Sequence, residues 1–348
     1  MFGRLRTADK ILSAFDSSVR IEICKCVRQR NKRADCTNCS AVCPVSAITV
    51  SSEGVFIEQD KCTACGRCVN ACKVGALSVK GFSEKTYFDA LISKSAGSDP
   101  VKIICSECSD IDNSGAIRVP CLSYVTAETM LFCAASGAEE IRLYHKKCTE
   151  CRRINGASAA EKEAEKARSI YRITVDIEEA AAKTSISSPI SRRDFFRHLN
   201  RKTKSSATGI MNSFSHQILY GKKKSSFAVD LPIRKRALNF ALYRILKDDA
   251  EFNEHLVREW VGIRYINSEK CRLCGICYKL CPTGALSEIS EDNGEFIKKA
   301  GIAFNKSMCS DCGNCLKVCS EKALAVRVPE SVEELKFYLK NNVELIHR

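Results

Sequence analysis

The sequence predicts an α+β fold: a small cysteine-rich unit toward each end and a small parallel α/β layer between them. Three observations predict it. Cysteines recur at the spacing C-x2-C-x2-C-x3-C, at Cys62–Cys72, Cys271–Cys281 and Cys309–Cys319, with a related run ending at Cys43. Ala47-Ile48, Ala76-Leu77, Ala285-Leu286 and Ala323-Leu324 follow the last cysteine of each run at one distance, an internal repeat. Between residues 100 and 152, short apolar stretches alternate with a helical one, the pattern of a parallel sheet.

The chain's 348 residues can supply two or three domains, and 45% apolar content supports folded cores. Twenty-three cysteines far exceed ordinary usage. The N-terminal MFGRLRTADKILSAFDSS has no apolar signal region, and no stretch reaches the roughly 18 apolar residues that span a membrane. These cysteines are therefore expected to be metal ligands in a reducing, cytoplasmic setting rather than disulfides, and exposed clusters point to an anaerobic one. The formal charge of +14 counts thiols as neutral. Four [4Fe-4S] centres with their thiolates, each carrying about −2, bring it to roughly +6. The basicity is then partly counter-charge, and with no recognised binding motif it does not argue for nucleic acid.

Taken in order, residues 1–19 read as a short amphipathic helix through Leu5, Ile11, Leu12 and Phe15. Residues 20–27 read as a strand carrying Cys24 and Cys26. A basic loop, Arg28 to Asp35, leads to Cys36, Cys39 and Cys43. The cysteine expected at position 33 is Arg33. Cys26 is expected to replace it, with Cys24, two residues back on the same strand face, as the rival. Glu53-Gly54 marks a hairpin. Cys62, Cys65, Cys68 and Cys72 follow.

Three cysteines at this pitch wrap one loop around three corners of an iron–sulfur cube. The fourth points away and ligates the cluster of the other run. Zinc sites use two pairs with a longer gap, so this spacing fits [4Fe-4S] better. The runs resemble the bacterial two-cluster ferredoxin family in two copies, over residues 17–82 and within 237–348. The resemblance implies four [4Fe-4S] clusters: on Cys26, Cys36, Cys39 and Cys72; on Cys62, Cys65, Cys68 and Cys43; on Cys271, Cys274, Cys277 and Cys319; and on Cys309, Cys312, Cys315 and Cys281.

Residues 100–183 differ. Val101 to Ile104, Ala116 to Val119 and Glu140 to Tyr144 read as strands. Ala127 to Gly137 reads as a helix capped by Thr126. Cysteines stand at the carboxyl ends of all three strands, where open α/β sheets place their sites. The stretches ICSECSD, IRVPCLSY, SGAEEIRL and KKCTEC resemble the iron–sulfur delta subunit of methyl-viologen-reducing hydrogenase. That resemblance implies a [2Fe-2S] cluster and electron delivery to a heterodisulfide-reductase-type flavoprotein. The candidate ligands are Cys105, Cys108, Cys121, Cys148 and Cys151, one more than needed, and a zinc site on the two C-x2-C pairs is the alternative. Cys133 reads as a small buried hydrophobe, and His145 as a satisfied or solvated histidine.

Residues 157–183 read as an exposed helix and 184–236 as a basic linker. The linker holds SRRDFFR, Ser191 to Arg197. It resembles a twin-arginine export motif, but lies mid-chain and precedes HLNRKTKSS instead of an apolar run. It reads as a capped basic helix or an arm for an acidic partner. Residues 237–260 read as helices packing on the second ferredoxin-like unit, and Val332 to His347 as a final helix.

No phosphate loop, G-x-G-x-x-G or nucleophile triad is present, so no catalytic residue and no flavin or nicotinamide site is expected. The expected function is a polyferredoxin-like relay of single electrons in a larger redox complex. Its expected partners are subunits of hydrogenase, heterodisulfide-reductase or formate-dehydrogenase type. The alternatives are a reductase acting at a cluster and an interaction protein built on structural zinc.

Overall fold

The computed structural model describes residues 18–31, 34–108, 115–180, 230–247, 253, 261–292, 297–340 and 343–347. The expected N-terminal helix and the SRRDFFR string lie outside these residues.

The N-terminal unit is two small hairpin-like pairs. β1 (Val19–Ile21) pairs antiparallel with β4 (Leu77–Val79), and β2 (Ile48–Val50) with β3 (Val55–Ile57). First strand therefore meets last, and the middle two meet each other. Three short helices hold the cysteine runs: α1 (Val27–Arg30), α2 (Asn38–Ala41) and α3 (Arg67–Ala71). The turn between β2 and β3 closes through Ser51 N–H donating to Gly54 O at 2.8 Å, with Gly54 at φ +141°. The expected strand 20–27 is shorter than read: it stops at Ile21, residues 23–25 turn, and Cys26 caps α1. Ile23, 64% exposed, has no sheet or core to cover it, which is why the apolar pattern misled.

The helix α4 (Glu84–Ser95) leads into the middle layer, with Ser83 Oγ accepting from Thr86 N–H as its cap. Four parallel strands run in the order β6 (Ile117–Val119), β5 (Val101–Cys105), β7 (Glu140–His145), β8 (Thr174–Glu179). All four carboxyl ends thus fall on one edge. Helices α5 (Ala127–Ala135) and α6 (Gly156–Ile170) make the crossovers. The exposed helix expected over 157–183 ends at Ile170, and the rest supplies β8. Val175, 6% exposed, faces the core amid polar neighbours, so the strand is a half-buried edge with a weak apolar signal. Thr126 stands at the N-cap of α5 without a side-chain cap bond; Glu163 of α6 instead accepts the Ala127 N–H at 2.8 Å.

α7 (Ile233–Lys247) starts inside the expected linker and packs mainly on α5, with a smaller contact to α10 (Val332–Lys340). The expectation that this segment packs on the C-terminal unit therefore describes only the lesser contact. Its apolar face, Ala237, Phe240, Ala241 and Ile245, repeats at helical spacing and is buried. Phe240 meets Phe132 edge-on at 5.6 Å, Phe132 meets Phe88, and Phe88 meets Tyr87. Each such pair adds about 0.5–1.5 kcal/mol beyond area burial. Arg234, half-buried, ion-pairs with Glu84 and lies 4.2 Å from the Tyr124 ring centre.

The C-terminal unit repeats the first. β9 (Ile263–Ile266) pairs with β12 (Leu324–Arg327), and β10 (Leu286–Asp292) with β11 (Ile297–Asn305), around α8 (Ile276–Lys279) and α9 (Asn314–Val318). The tail is not one helix. α10 ends at Lys340, and β13 (Val343–His347) adds antiparallel to β11.

Candidate metal centres

The four cysteine runs share one backbone device. The third residue after each final cysteine is left-handed: Ser46 at φ 49°, Gly75 at 61°, Gly284 at 67° and Lys322 at 49°. That turn reverses the chain so that the next amide points back. Ala47 N–H donates to Cys43 Sγ at 3.2 Å, Ala76 N–H to Cys72 Sγ at 3.2 Å, and Ala323 N–H to Cys319 Sγ at 3.3 Å. The four alanines, Ala285 included, are no more than 2% exposed, so a larger side chain has no space. The repeated alanine is thus required by the close approach of backbone to sulfur.

A second device sits in the loops. Ala64, Leu273 and Asp311, each between the first two cysteines of a complete run, are left-handed at φ 52°, 51° and 56°. Gly66, Gly275 and Gly313 after the second cysteine are left-handed too, at φ 84°, 81° and 72°. Two such turns curl the loop so that its thiols converge. The run ending at Cys43 lacks them: Thr37 replaces the glycine and has φ −123°. There Cys26, from another stretch of chain, stands beside Cys36 and Cys39.

Cys26, Cys36, Cys39 and Cys72 line one small cavity, together with Val27, Val55 and Val74. Cys24 is exposed and is not in its wall. Burial, and then the thiols of Cys72 and Cys36, push Cys39 up to about 11. Next to this set, burial raises Cys68 well above the usual thiol range, helped by Cys65, Cys62, Cys39 and Cys43. In the C-terminal unit, burial holds Cys277 at about 12, with Cys315, Cys271 and Cys274 contributing. Burial takes Cys315 to about 11, with Cys312 and Cys281 contributing and Arg264 opposing. Buried thiols that raise one another's pKa need a cation to ionise, so these groups suit a metal centre.

Charge near the fourth group was not read from the sequence. Arg264, its side chain 9% exposed, ion-pairs with Asp311, which Lys235 of α7 also contacts. Burial would raise Asp311, but Lys235 and Arg264 outweigh it and hold it at about 2.

The middle layer opens a cleft of about 470 Å³ at the carboxyl edge of its sheet. Cys105, Cys121, Cys148 and Cys151 line it, with His145, Lys146, Glu107 and Arg153. Cys108, the fifth candidate, does not line the cleft; it is fully buried behind Cys105, their sulfurs 3.5 Å apart. Its thiol hydrogen bond holds Cys105 well below the ordinary thiol range, while Cys108 itself is driven up. His145 Nδ1 lies 2.8 Å from Lys146 O and 3.8 Å from Cys148 Sγ. Cys133 is enclosed within α5, where burial raises it to about 12. Among the described residues, no three His, Cys, Asp or Glu side chains gather around a single-ion site.

The cleft adjoins the N-terminal unit. Arg153, 7% exposed, donates from Nε to Thr63 O at 3.0 Å and from Nη1 to Ser106 Oγ at 2.7 Å. Ser123 Oγ donates to Cys65 O at 3.1 Å, and Arg67 Nη2 to Ile154 O and Asn155 O, each at 3.0 Å. The signal for Arg153 was present: C-R-R places two cations after Cys151, Arg153 being the second.

The 4Fe-4S dicluster domain family matches residues 32–87, and the 4Fe-4S binding domain family matches 264–287. An uncharacterised ferredoxin of Methanocaldococcus jannaschii is 38% identical over 42 residues, covering 12% of this chain and 28% of that protein. An Escherichia coli protein named for electron transport, YsaA, is 40% identical over 47 residues, covering 14% of this chain and 30% of that protein. The chain thus spans less than a third of either relative's length. No described helix is long and apolar enough to cross a membrane. With the repeated strand pairing and thiol groups, these matches show that the chain carries two 4Fe-4S ferredoxin-type domains, one toward each end.

Proposed function

We propose that this chain is a polyferredoxin-like relay subunit of a larger oxidoreductase complex, working in an oxygen-poor cytoplasm. It divides into a two-cluster domain over 17–82, a middle cysteine-rich domain over 100–183 on which α7 also packs, a basic linker between residue 183 and α7, and a second two-cluster domain after α7. The observation that carries the reading is the cavity in which Cys26, Cys36, Cys39 and Cys72 meet from three separate stretches of chain. Four sulfur donors and apolar walls are what a four-thiolate iron–sulfur centre requires. Such a centre has no open coordination position and supplies one-electron transfer.

The protein's own groups do the remaining work. Cys43 and Cys72, and likewise Cys281 and Cys319, hold the neighbouring run's centre. The Ala47, Ala76 and Ala323 amides donate to sulfur and so favour added negative charge, which raises the reduction potential. Arg264 does the same for the group at Cys309. In the middle domain Cys105, Cys121, Cys148 and Cys151 form the metal-holding set, a [2Fe-2S] centre on the delta-subunit resemblance, and Cys108 supports Cys105. Partners are redox subunits of hydrogenase, heterodisulfide-reductase or formate-dehydrogenase type.

The test is an absorption spectrum with iron and acid-labile sulfide analysis of anaerobically purified protein. Broad absorption near ~400 nm that bleaches on reduction, with matching iron and sulfide, supports the reading. A colourless zinc protein, or one whose cysteines are joined as cystines, refutes it.

A further inference from the structure

We infer that the loop from Cys309 to Asn314 is the junction at which the two ferredoxin-type domains exchange electrons, with Cys312 seated in the wall of the cavity lined by Cys26, Cys36, Cys39 and Cys72. The inference rests on the reading that these sets hold iron–sulfur centres. It goes further by ordering them.

Cys312 packs beside Val27, Val74 and Ala76, a small apolar cluster separate from the main core. Lys317 of α9 ion-pairs with Asp35, the neighbour of Cys36. On the other flank, Lys235 of α7 and Arg264 grip Asp311, next to Cys312. Pro232, just before α7, stands over Gly75, so close that an added Cβ there would lie 3.2 Å from its ring. The loop is therefore fixed from two sides against the N-terminal cavity. A surface ion pair alone would not fix it, being worth about 0–1 kcal/mol.

The resulting order differs from the order along the chain. The Cys271 set adjoins the Cys309 set within the C-terminal domain. Through Cys312, the Cys309 set adjoins the Cys36 set. The Cys36 set adjoins the Cys62 set, and Cys65 contacts Ser123 at the edge of the middle cleft. One end of the series has the exposed Cys274, and the other has the open cleft. At the junction one set is oxidised by one electron as the other is reduced by one; no bond breaks and no proton moves. The external donor and acceptor are the redox subunits already invoked.

The test uses the full chain, loaded anaerobically. Cys65→Ala, Cys68→Ala, Cys274→Ala and Cys277→Ala together empty the outer two ferredoxin sets and leave the pair proposed to be neighbours. After reduction, electron paramagnetic resonance is expected to show a spectrum split and broadened by spin–spin interaction. Emptying the inner pair instead, by Cys36→Ala, Cys39→Ala, Cys312→Ala and Cys315→Ala, together with the middle set by Cys148→Ala and Cys151→Ala, is expected to leave sharp, independent signals. Independent signals from the first variant overturn the junction while leaving the iron–sulfur reading intact. Absence of iron from the unaltered chain overturns that reading itself. Should the variants not load, zero-length carbodiimide cross-linking of the unaltered loaded protein decides. A Lys317–Asp35 cross-link found by mass spectrometry supports the contact, and its absence among other cross-links overturns it.

Discussion

A left-handed residue followed by alanine ends every cysteine run, and the pair explains a repeat that first appears merely as sequence punctuation. Lys322 and Ser46 adopt positive φ without being glycine, a conformation that costs about 1–2 kcal/mol per residue. The cost is offset where the following amide meets a thiolate, because hydrogen bonds to charged groups contribute about 1.5–3 kcal/mol. The choice of Cys26 over Cys24 belongs at this scale too. Cys26→Ala is expected to lose one centre's iron and Cys24→Ala none, read by iron analysis of the purified variants. The reverse pattern would move the ligand to Cys24. Gly156 gives a sharper check on the middle cleft. An added Cβ there would lie 2.5 Å from Cys121 Sγ. Gly156→Ala is therefore expected to displace that thiol and deplete the middle centre, while absorption from the ferredoxin-type domains persists. Spacing made nearly all these cysteines visible in the sequence. Which of the middle domain's cysteines line the cleft was not, because Cys105 and Cys108 look equivalent in C-x2-C and differ only in which of them faces it.

Among the elements, α7 contributes most to joining the parts. It presents Phe240 to α5, Arg234 to Glu84 and Tyr124, and Lys235 to Asp311. Phe240→Ala is expected to cost about 3–5 kcal/mol in denaturant unfolding, with the loss falling on the transition that includes the middle domain. An unchanged midpoint would show that the Phe132–Phe240 contact carries no such weight. The parallel strands β5, β6 and β7 were legible because each is a short apolar run followed by cysteine. β8 was not, since an edge strand shows one apolar face and TVDIEE follows helical residues without a break. The tail failed similarly: α10 is amphipathic, but β13 owes its form to pairing with β11, which local pattern does not encode.

For the molecule as a whole, the two ferredoxin-type domains have separate strand pairs and separate thiol groups. Cys274→Ala is expected to remove the centre at Cys271 and leave the N-terminal domain's iron in place, as measured by iron content and by the reduced spectrum. Loss of iron from both halves would mean that they mature together. The domain repeat could be read from cysteine spacing alone. How the copies sit against each other could not, because Asp35 and Lys317 carry no mark that ties one to the other across the length of the chain.

The grip of α7 has a further consequence for how such a protein can be made. Phe240 and Arg234 reach partners before residue 181 and Lys235 one after residue 229, so contacts other than the peptide itself join the two sides. Two separately translated polypeptides, one ending near residue 180 and one beginning near 230, carry complementary surfaces. Co-produced, they are expected to co-purify as one particle, and their failure to do so would show that the peptide between them is needed.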